Sequence, residues 1–364
     1  MAKILYTNFH PGNGGGHTTY LLALLKGHPE KFEVAVACPA KSELYKKAQS
    51  EGFKTYGISF PGKIKELRDI YDSLVKLRSI IKQGSFTHIH VNGSPDHRLV
   101  MYALLTTRLS SRPKIVFTKH NNLTVKKNIF SQIRYKYFSD QIITVCNYLR
   151  YEFQSFGISA NRIHHVANGV NTRHFAGPLS LAQKKALRES LNLPKEKIIL
   201  VSCAGTALHK GWQFLIKALN QITEQKYAVV ILGPPPSNKK ILDLGLETSQ
   251  VFFPGQINDI RPYLLASDIG FVLSTSIETV SFACREMMSS GLPCLVSDTG
   301  CLPENISKDT GWVTRAGNHK DIINVLHAIS SSDLYHMGEN ARKRALKYFD
   351  QEEFLTGTFK VYDL

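Results

Sequence analysis

Along the whole chain, short apolar runs alternate with amphipathic stretches of about helix length, and this order narrows the available folds more than any other feature. KILYT from Lys3, EVAVAC from Glu33, HIHVN from His88, KIVFTKH from Lys114 and QIITV from Gln141 form one series of predicted strands. KIILVSCAG from Lys197, AVVILG from Ala228, VFFPG from Val251, IGFVLS from Ile269 and PCLVS from Pro293 form a second. Strand and helix in strict alternation build parallel sheets covered by helices, so the expected class is α/β with two Rossmann-like doubly wound sheets.

Between the two series lies HVANGVNTRHFAGPLS, in which Asn168-Gly169 and Gly177-Pro178 are turn and linker signals, and an amphipathic helix follows from Leu181. The boundary is placed there, with one domain at 1–167 and a second at 168–348. A length of 364 residues at 43% hydrophobic composition is enough for two cores. The opening MAKILYTNFH lacks the apolar segment of a signal peptide, and AVVIL after Tyr227 is far short of the roughly 20 residues that span a bilayer. A cytoplasmic location is therefore expected. The six cysteines include no C-x-x-C pair and sit mostly among apolar neighbours, which argues for reduced thiols and against a disulfide scaffold or a zinc site.

Charge is unevenly spread. The formal net charge is +16, yet residues 1–165 hold 24 Lys and Arg against 10 Asp and Glu, leaving only a small excess for the remainder. The front half meets something acidic, or the excess serves solubility.

In open parallel sheets ligands bind beyond the carboxyl ends of the strands, so the residues after each strand carry the functional information. Gly12, Gly14, Gly15 and Gly16 follow the first strand and open a helix, which suits either a phosphate cradle or a structural turn; no Walker or dinucleotide fingerprint is present. His90 and His120 end neighbouring strands, with Lys119 and Asn121 flanking the second, and each histidine reads as a core residue or as a cleft residue. After Gly205 and Thr206 comes Lys210, a point charge for phosphate or a solvated surface lysine. In SIETVSFACREMMSSGLP, Glu278 precedes a helix that begins near Ser281, and Glu286 sits inside it with seven residues between the two acids. An ionised carboxylate accepts only, and can take two sugar hydroxyl donors while phosphates meet the helix N-terminus.

These residues together resemble the retaining GT-B glycosyltransferases of family 4. The resemblance rests on Glu278 to Glu286 as an E-x7-E motif, on MMSSGLP from Met287, on SDTGCLPE from Ser297, and on NGVN from Asn168 with Phe175. It implies two domains facing each other across a cleft, the front one binding acceptor and the rear one a UDP- or GDP-sugar, with helix 349–364 crossing back to the front. It further implies that Glu286 holds the ribose and Glu278 contacts the transferred sugar. Lys210, Gly14 to Gly16, Gly205, Thr206 and the backbone of Val280, Ser281 and Phe282 would meet the diphosphate, and His120 would lie near the anomeric carbon. His90, Lys119 and Asn121 are the expected acceptor contacts. No D-x-D triplet occurs, so no metal and no cofactor beyond the donor is expected.

The chain departs from the pattern where Thr206 replaces a diphosphate-binding arginine and where Thr279, Val280 and Ser281 replace a commoner glycine-phenylalanine-glycine. The basic front half, with TVKKNIFSQIRYKYFSD from Thr124, suits an anionic membrane face or a phosphorylated glycolipid, as in lipopolysaccharide or cell-envelope synthesis. A nucleotide-sugar epimerase on the same architecture is the nearer alternative. A basic nucleic-acid-binding protein is the remoter one; it leaves both glutamates unexplained, so no nucleic-acid partner is expected.

Overall fold

The structure, a computed structural model, describes residues 2–12, 15–61, 67–121, 124–125, 128–175, 177, 179–276 and 278–364. Gly14, Lys126, Lys127 and Pro178 lie outside the described residues. The chain forms two compact units, 1–168 with 352–364, and 169–351.

The front unit holds β1 (Ala2–Thr7), β2 (Phe32–Cys38), β3 (Lys54–Gly57), β4 (His88–Val91), β5 (Lys114–Lys119), β6 (Gln141–Thr144) and β7 (Ile163–His165). They pair in the order β3-β2-β1-β4-β5-β6-β7, parallel throughout. Around this sheet run α1 (Gly16–Lys26), α2 (Glu43–Ser50), α3 (Leu67–Gly84), α4 (Ser94–Leu104), α5 (Ile129–Tyr137) and α6 (Asn147–Ser155).

The rear unit holds β8 (Ile198–Ser202), β9 (Tyr227–Leu232), β10 (Val251–Gly255), β11 (Ile269–Val272), β12 (Cys294–Ser297) and β13 (Gly311–Thr314), ordered β10-β9-β8-β11-β12-β13 and again parallel. Its helices are α7 (Leu181–Ser190), α8 (Trp212–Leu219), α9 (Asn238–Asp243), α10 (Arg261–Ala266), α11 (Phe282–Ser289), α12 (His319–Ala328) and α13 (Ser331–Tyr348). The first of these starts where the linker signals predict a helix, and a capping box between Ser180 and Gln183 satisfies its opening amides.

All ten predicted strands are present. The three that the apolar pattern misses, β3, β7 and β13, are edges of their sheets. An edge strand packs less, as the largely half-exposed KTYG of β3 shows, so its sequence need not be continuously apolar.

The final helix, α14 (Gln351–Tyr362), packs on the front sheet. Phe354, Phe359, Val361 and Tyr362 join Tyr20, Leu21, Phe32 and Val36 in one buried cluster. The chain reaches this helix past a parallel bridge between Val170 and Asp350, where the Val170 amide donates to the Phe349 carbonyl at 2.8 Å.

Cys38, Cys203, Cys284 and Cys294 carry free thiols, whereas Cys146 and Cys301 are disulfide-bonded, which corrects the expectation that all six cysteines are reduced. In each sheet the chain reverses its direction of winding once, between β1 and β4 and between β8 and β11. These switch points are where a doubly wound sheet opens a crevice at its carboxyl edge.

Candidate functional site

In the rear unit, the loops after β8 and β11 flank the switch point and are pinned to one another. The Thr275 amide donates to the His209 carbonyl at 2.8 Å, and Lys210 Nζ meets Glu278 Oε2 at 2.7 Å. Ser274 Oγ donates to the same carboxylate oxygen at 2.9 Å. Both partners are largely covered, the lysine side chain 23% exposed and the glutamate 12%. The fold thus brings Lys210 and Glu278 together from positions far apart in sequence. Gly211 makes this possible: its φ is +76°, and a Cβ there would lie 1.8 Å from the Leu273 carbonyl oxygen. Only glycine lets the lysine turn pass this close to the end of β11.

Gly205 and Thr206 lie half-exposed in the loop after β8. Thr206, standing where the resembled pattern has arginine, is used internally: its hydroxyl donates to the Pro234 carbonyl, and its own carbonyl accepts from Trp212 Nε1 at 2.9 Å.

At the start of α11, Ser281 caps the helix, its Oγ accepting from the Cys284 amide. Its φ of +50° lies in the left-handed region, where a side chain is strained. This is the position where the commoner pattern has glycine, so the serine keeps a glycine-like backbone and adds a cap. Val280 and Phe282 flank it, and Asn305 holds the turn by donating from Nδ2 to the Val280 carbonyl at 2.8 Å.

Glu286 lies within α11, half-buried, and burial raises its pKa above the ordinary carboxylate value. The Cys203 thiol, 3.8 Å from Glu286 Oε2, donates to it and partly offsets that rise. The two acids therefore have different neighbours, Glu278 a cation and Glu286 a thiol.

In the front unit, the crevice is lined by uncharged rings. The His120 ring lies 4.4 Å from that of His17 and 4.5 Å from that of Tyr20, and His17 lies 4.5 Å from His10. Asn92 Nδ2 donates to the Thr7 and His90 carbonyls, which leaves its Oδ1 as acceptor, so His120 Nε2–H donates to that oxygen at 2.9 Å. The bond fixes the tautomer with the lone pair on Nδ1. Burial, reinforced by the neighbouring His17 and His90, holds the His120 pKa well below its ordinary value, and burial takes His17 down to about 3. Gly15 caps α1 at a φ of +102° without a side-chain bond, and its carbonyl accepts from the Thr18 and Thr19 amides.

His90 corrects the expectation of an acceptor contact. It is fully buried, with Nδ1 2.5 Å from the Tyr362 hydroxyl and Nε2 2.6 Å from Thr118 Oγ1. Both ring nitrogens are used inside the core because α14 seals that end of β4, a packing the strand's own sequence does not reveal. Lys119 and Asn121 do come together, Nζ donating to Oδ1 at 2.7 Å. Burial pushes Lys119 down to about 8.

Sequence reasoning also missed Asn92, His17, Cys203 and Asn305, each of which orients an expected site residue. Asn92 in HIHVN carries a usable signal, a polar side chain directly after an apolar strand at the switch point.

Residues 14–174 match Glycosyltransferase Family 4, and residues 183–344 match Glycosyl transferases group 1. The chain is 23% identical over 300 residues to an N-acetyl-alpha-D-glucosaminyl L-malate synthase of Bacillus anthracis, covering 79% of this chain and 77% of the relative. It is 24% identical over 302 residues to a UDP-Gal:alpha-D-GlcNAc-diphosphoundecaprenol alpha-1,3-galactosyltransferase of Escherichia coli, covering 76% and 75%. The crystal structure of Anabaena HepE in complex with UDP superposes with a TM-score of 0.79 at 18% identity, over 100% of both chains. At that identity the likeness shows the fold.

Proposed function

Because this chain belongs to the group 1 glycosyltransferases of the GT-B fold, which use nucleotide sugars, we propose that it transfers a sugar with retention from a UDP- or GDP-sugar to a hydroxyl of a glycan or membrane glycolipid. The observation that carries this reading is the Lys210–Glu278 pair beside the N-terminus of α11, with Glu286 inside the same helix. The start of α11 carries roughly half a positive charge and, with Lys210, faces the place where a donor diphosphate gains negative charge as its sugar leaves. Groups aimed at developing charge stabilise the transition state more than the ground state.

Lys210 exchanges Glu278 for phosphate when donor binds, which releases the glutamate to accept from the sugar hydroxyls. Glu286 accepts from the ribose. Gly205 and the backbone of Val280, Ser281 and Phe282 approach the diphosphate. Within the front unit, His120 is a neutral ring that serves as a hydrogen-bonding group and not as a cation. No divalent metal enters this scheme, because lysine and helix dipole supply the positive charge; turnover that survives a chelator supports this, and turnover abolished by the chelator and restored by magnesium overturns it.

The relatives favour UDP as carrier, since the Anabaena protein was crystallised with it, and a lipid-linked acceptor of cell-envelope synthesis, as in the Escherichia coli galactosyltransferase. We place the protein on the inner face of the cytoplasmic membrane through α5. There Ile129, Phe130 and Tyr137 stand exposed, at 66%, 72% and 66%, with Arg134 and Lys136 on the same helix. Each basic residue near an anionic leaflet contributes about 1 kcal/mol. Sedimentation with anionic vesicles at low salt tests this placement, and no binding there sinks it.

The donor reading is tested by thermal shift with UDP, UDP-glucose and GDP on the protein and on Glu286→Ala. A shift that the variant loses supports it; no shift from any diphosphate nucleotide overturns it.

A further inference from the structure

Beside α4 and α5 the front unit holds a cavity of about 560 Å³, within the range of small-molecule sites. Its walls are of two kinds. Ile70, Leu99, Tyr102, Phe130 and Tyr135 form an apolar side, while Arg98, Lys119 and Arg134 bring three cations. Among the described residues no Asp or Glu lines it.

Cations gathered in one partly enclosed space repel one another and lose hydration, so their grouping needs an anion to offset it. Lys119 is only 8% exposed, and among the described residues its ammonium donates to the neutral Asn121 oxygen. Arg134 stacks over Tyr135, its guanidinium carbon 4.6 Å from the ring centroid; its Nη atoms donate to the Ser94 carbonyl and the Tyr135 hydroxyl, and among the described residues its buried Nε has no hydrogen-bond partner. Glu152, an acid whose charge bears on Lys119, accepts from the Val125 amide at 3.3 Å. The cavity borders His120 in sequence on both sides, since Lys119 and Asn121 both line it.

We propose that this cavity binds an anionic group, a phosphate or carboxylate, carried by an acceptor next to an apolar segment. The anion sits between Lys119 and Arg134, and the apolar segment lies along Tyr102, Phe130 and Tyr135. The acceptor hydroxyl then extends past Lys119 toward His120. The assignment rests on the reading of the front unit as acceptor-binding and names the acceptor's chemistry: an acidic amphiphile, not a neutral oligosaccharide.

The test is calorimetric titration of the full chain, saturated with UDP so that the donor site is filled, using hexyl phosphate, inorganic phosphate and hexyl glucoside below their aggregation concentrations. Hexyl phosphate binding about 10-fold or more tighter than either other probe is the expected result, as a desolvated charge pair and a buried chain together predict. Lys119→Met and Arg134→Gln should each remove about 5-fold or more of that preference while leaving UDP affinity unchanged. Equal binding of hexyl phosphate and hexyl glucoside, or an unaltered preference in both variants, overturns the proposal. Equal binding of inorganic and hexyl phosphate overturns its apolar half. Absence of UDP binding overturns the donor reading instead, and the probes then test the cavity without UDP.

Discussion

The two units share one sheet topology but handle charge in opposite ways. At the rear crevice Lys210 is paired with Glu278, and Glu286 accepts from the Cys203 thiol. At the front crevice the rings of His17 and His120 are kept neutral by burial, and Lys119 and Arg134 have no carboxylate within ion-pairing distance among the described residues. A site whose charges are paired at rest can hold a diphosphate by exchanging one partner for another. A site with unbalanced cations is waiting for charge from outside, which is also where most of the +16 resides.

The contrast can be broken at several points. The largest effect is expected from Lys210→Ala, which removes the cation aimed at the leaving diphosphate and should lower kcat/KM about 10²–10³-fold, as loss of a transition-state donor does. Steady-state kinetics showing a change confined to KM would instead make Lys210 a ground-state anchor. Next comes Glu286→Ala, with an expected weakening of UDP affinity of about 10–100-fold from lost charge-assisted bonds to ribose. Titration calorimetry reads this directly, and unaltered affinity would leave Glu286 as a packing residue beside Cys203.

Acid should separate the units. The histidines that burial lowers, His10, His17, His88, His90, His97, His120 and His164, all belong to the front unit, and three of them reach about 3. A histidine whose folded pKa is depressed contributes stability that is full above about pH 6.5 and is lost as pH falls toward the folded value, because the unfolded chain binds the proton more readily. Asp96 opposes this: burial raises it to about 7, so its share is present in acid and lost as pH rises through that value. One carboxyl offsets only part of several imidazoles. Hydrogen exchange resolved by segment at about pH 7.5 and about pH 5.5, corrected for intrinsic rates, should show residues 1–168 loosening first; earlier loosening of 169–351 would reverse the comparison.

The smallest effect is a gain. Lys119→Met replaces a buried, unbalanced cation by a flexible apolar chain and should raise the front unit's Tm by about 2–4 °C, equivalent to roughly 1 kcal/mol. A fall in Tm by calorimetry would mean that Lys119 holds the fold together and not a ligand.

Much of this was legible in the sequence because doubly wound sheets write their buried strands as apolar runs and their ligand residues just beyond them. Glu278 in the loop and Glu286 in the helix could be separated from the placement of Ser281 alone. What was not legible depends on contacts between distant segments. His90 looks like any strand-end ligand until Tyr362 arrives from the far end of the chain to occupy its ring. Cys203 reads as core until α11 sets Glu286 against it. The missing arginine left a real gap in the pattern, and the structure shows Thr206 bound into the loop framework.

The return of α14 bears on how the protein is made. Phe354, Phe359 and Tyr362 are part of the front sheet's covering, yet a ribosome delivers them only after all of 169–351. At roughly 5–20 residues per second, the apolar faces of Tyr20 and Phe32 wait about 10–40 s for that cover. The rear unit, continuous in sequence, can complete itself first. Although it is translated first, the front unit is the last to close, and during that interval it is the part of the nascent chain most in need of a chaperone.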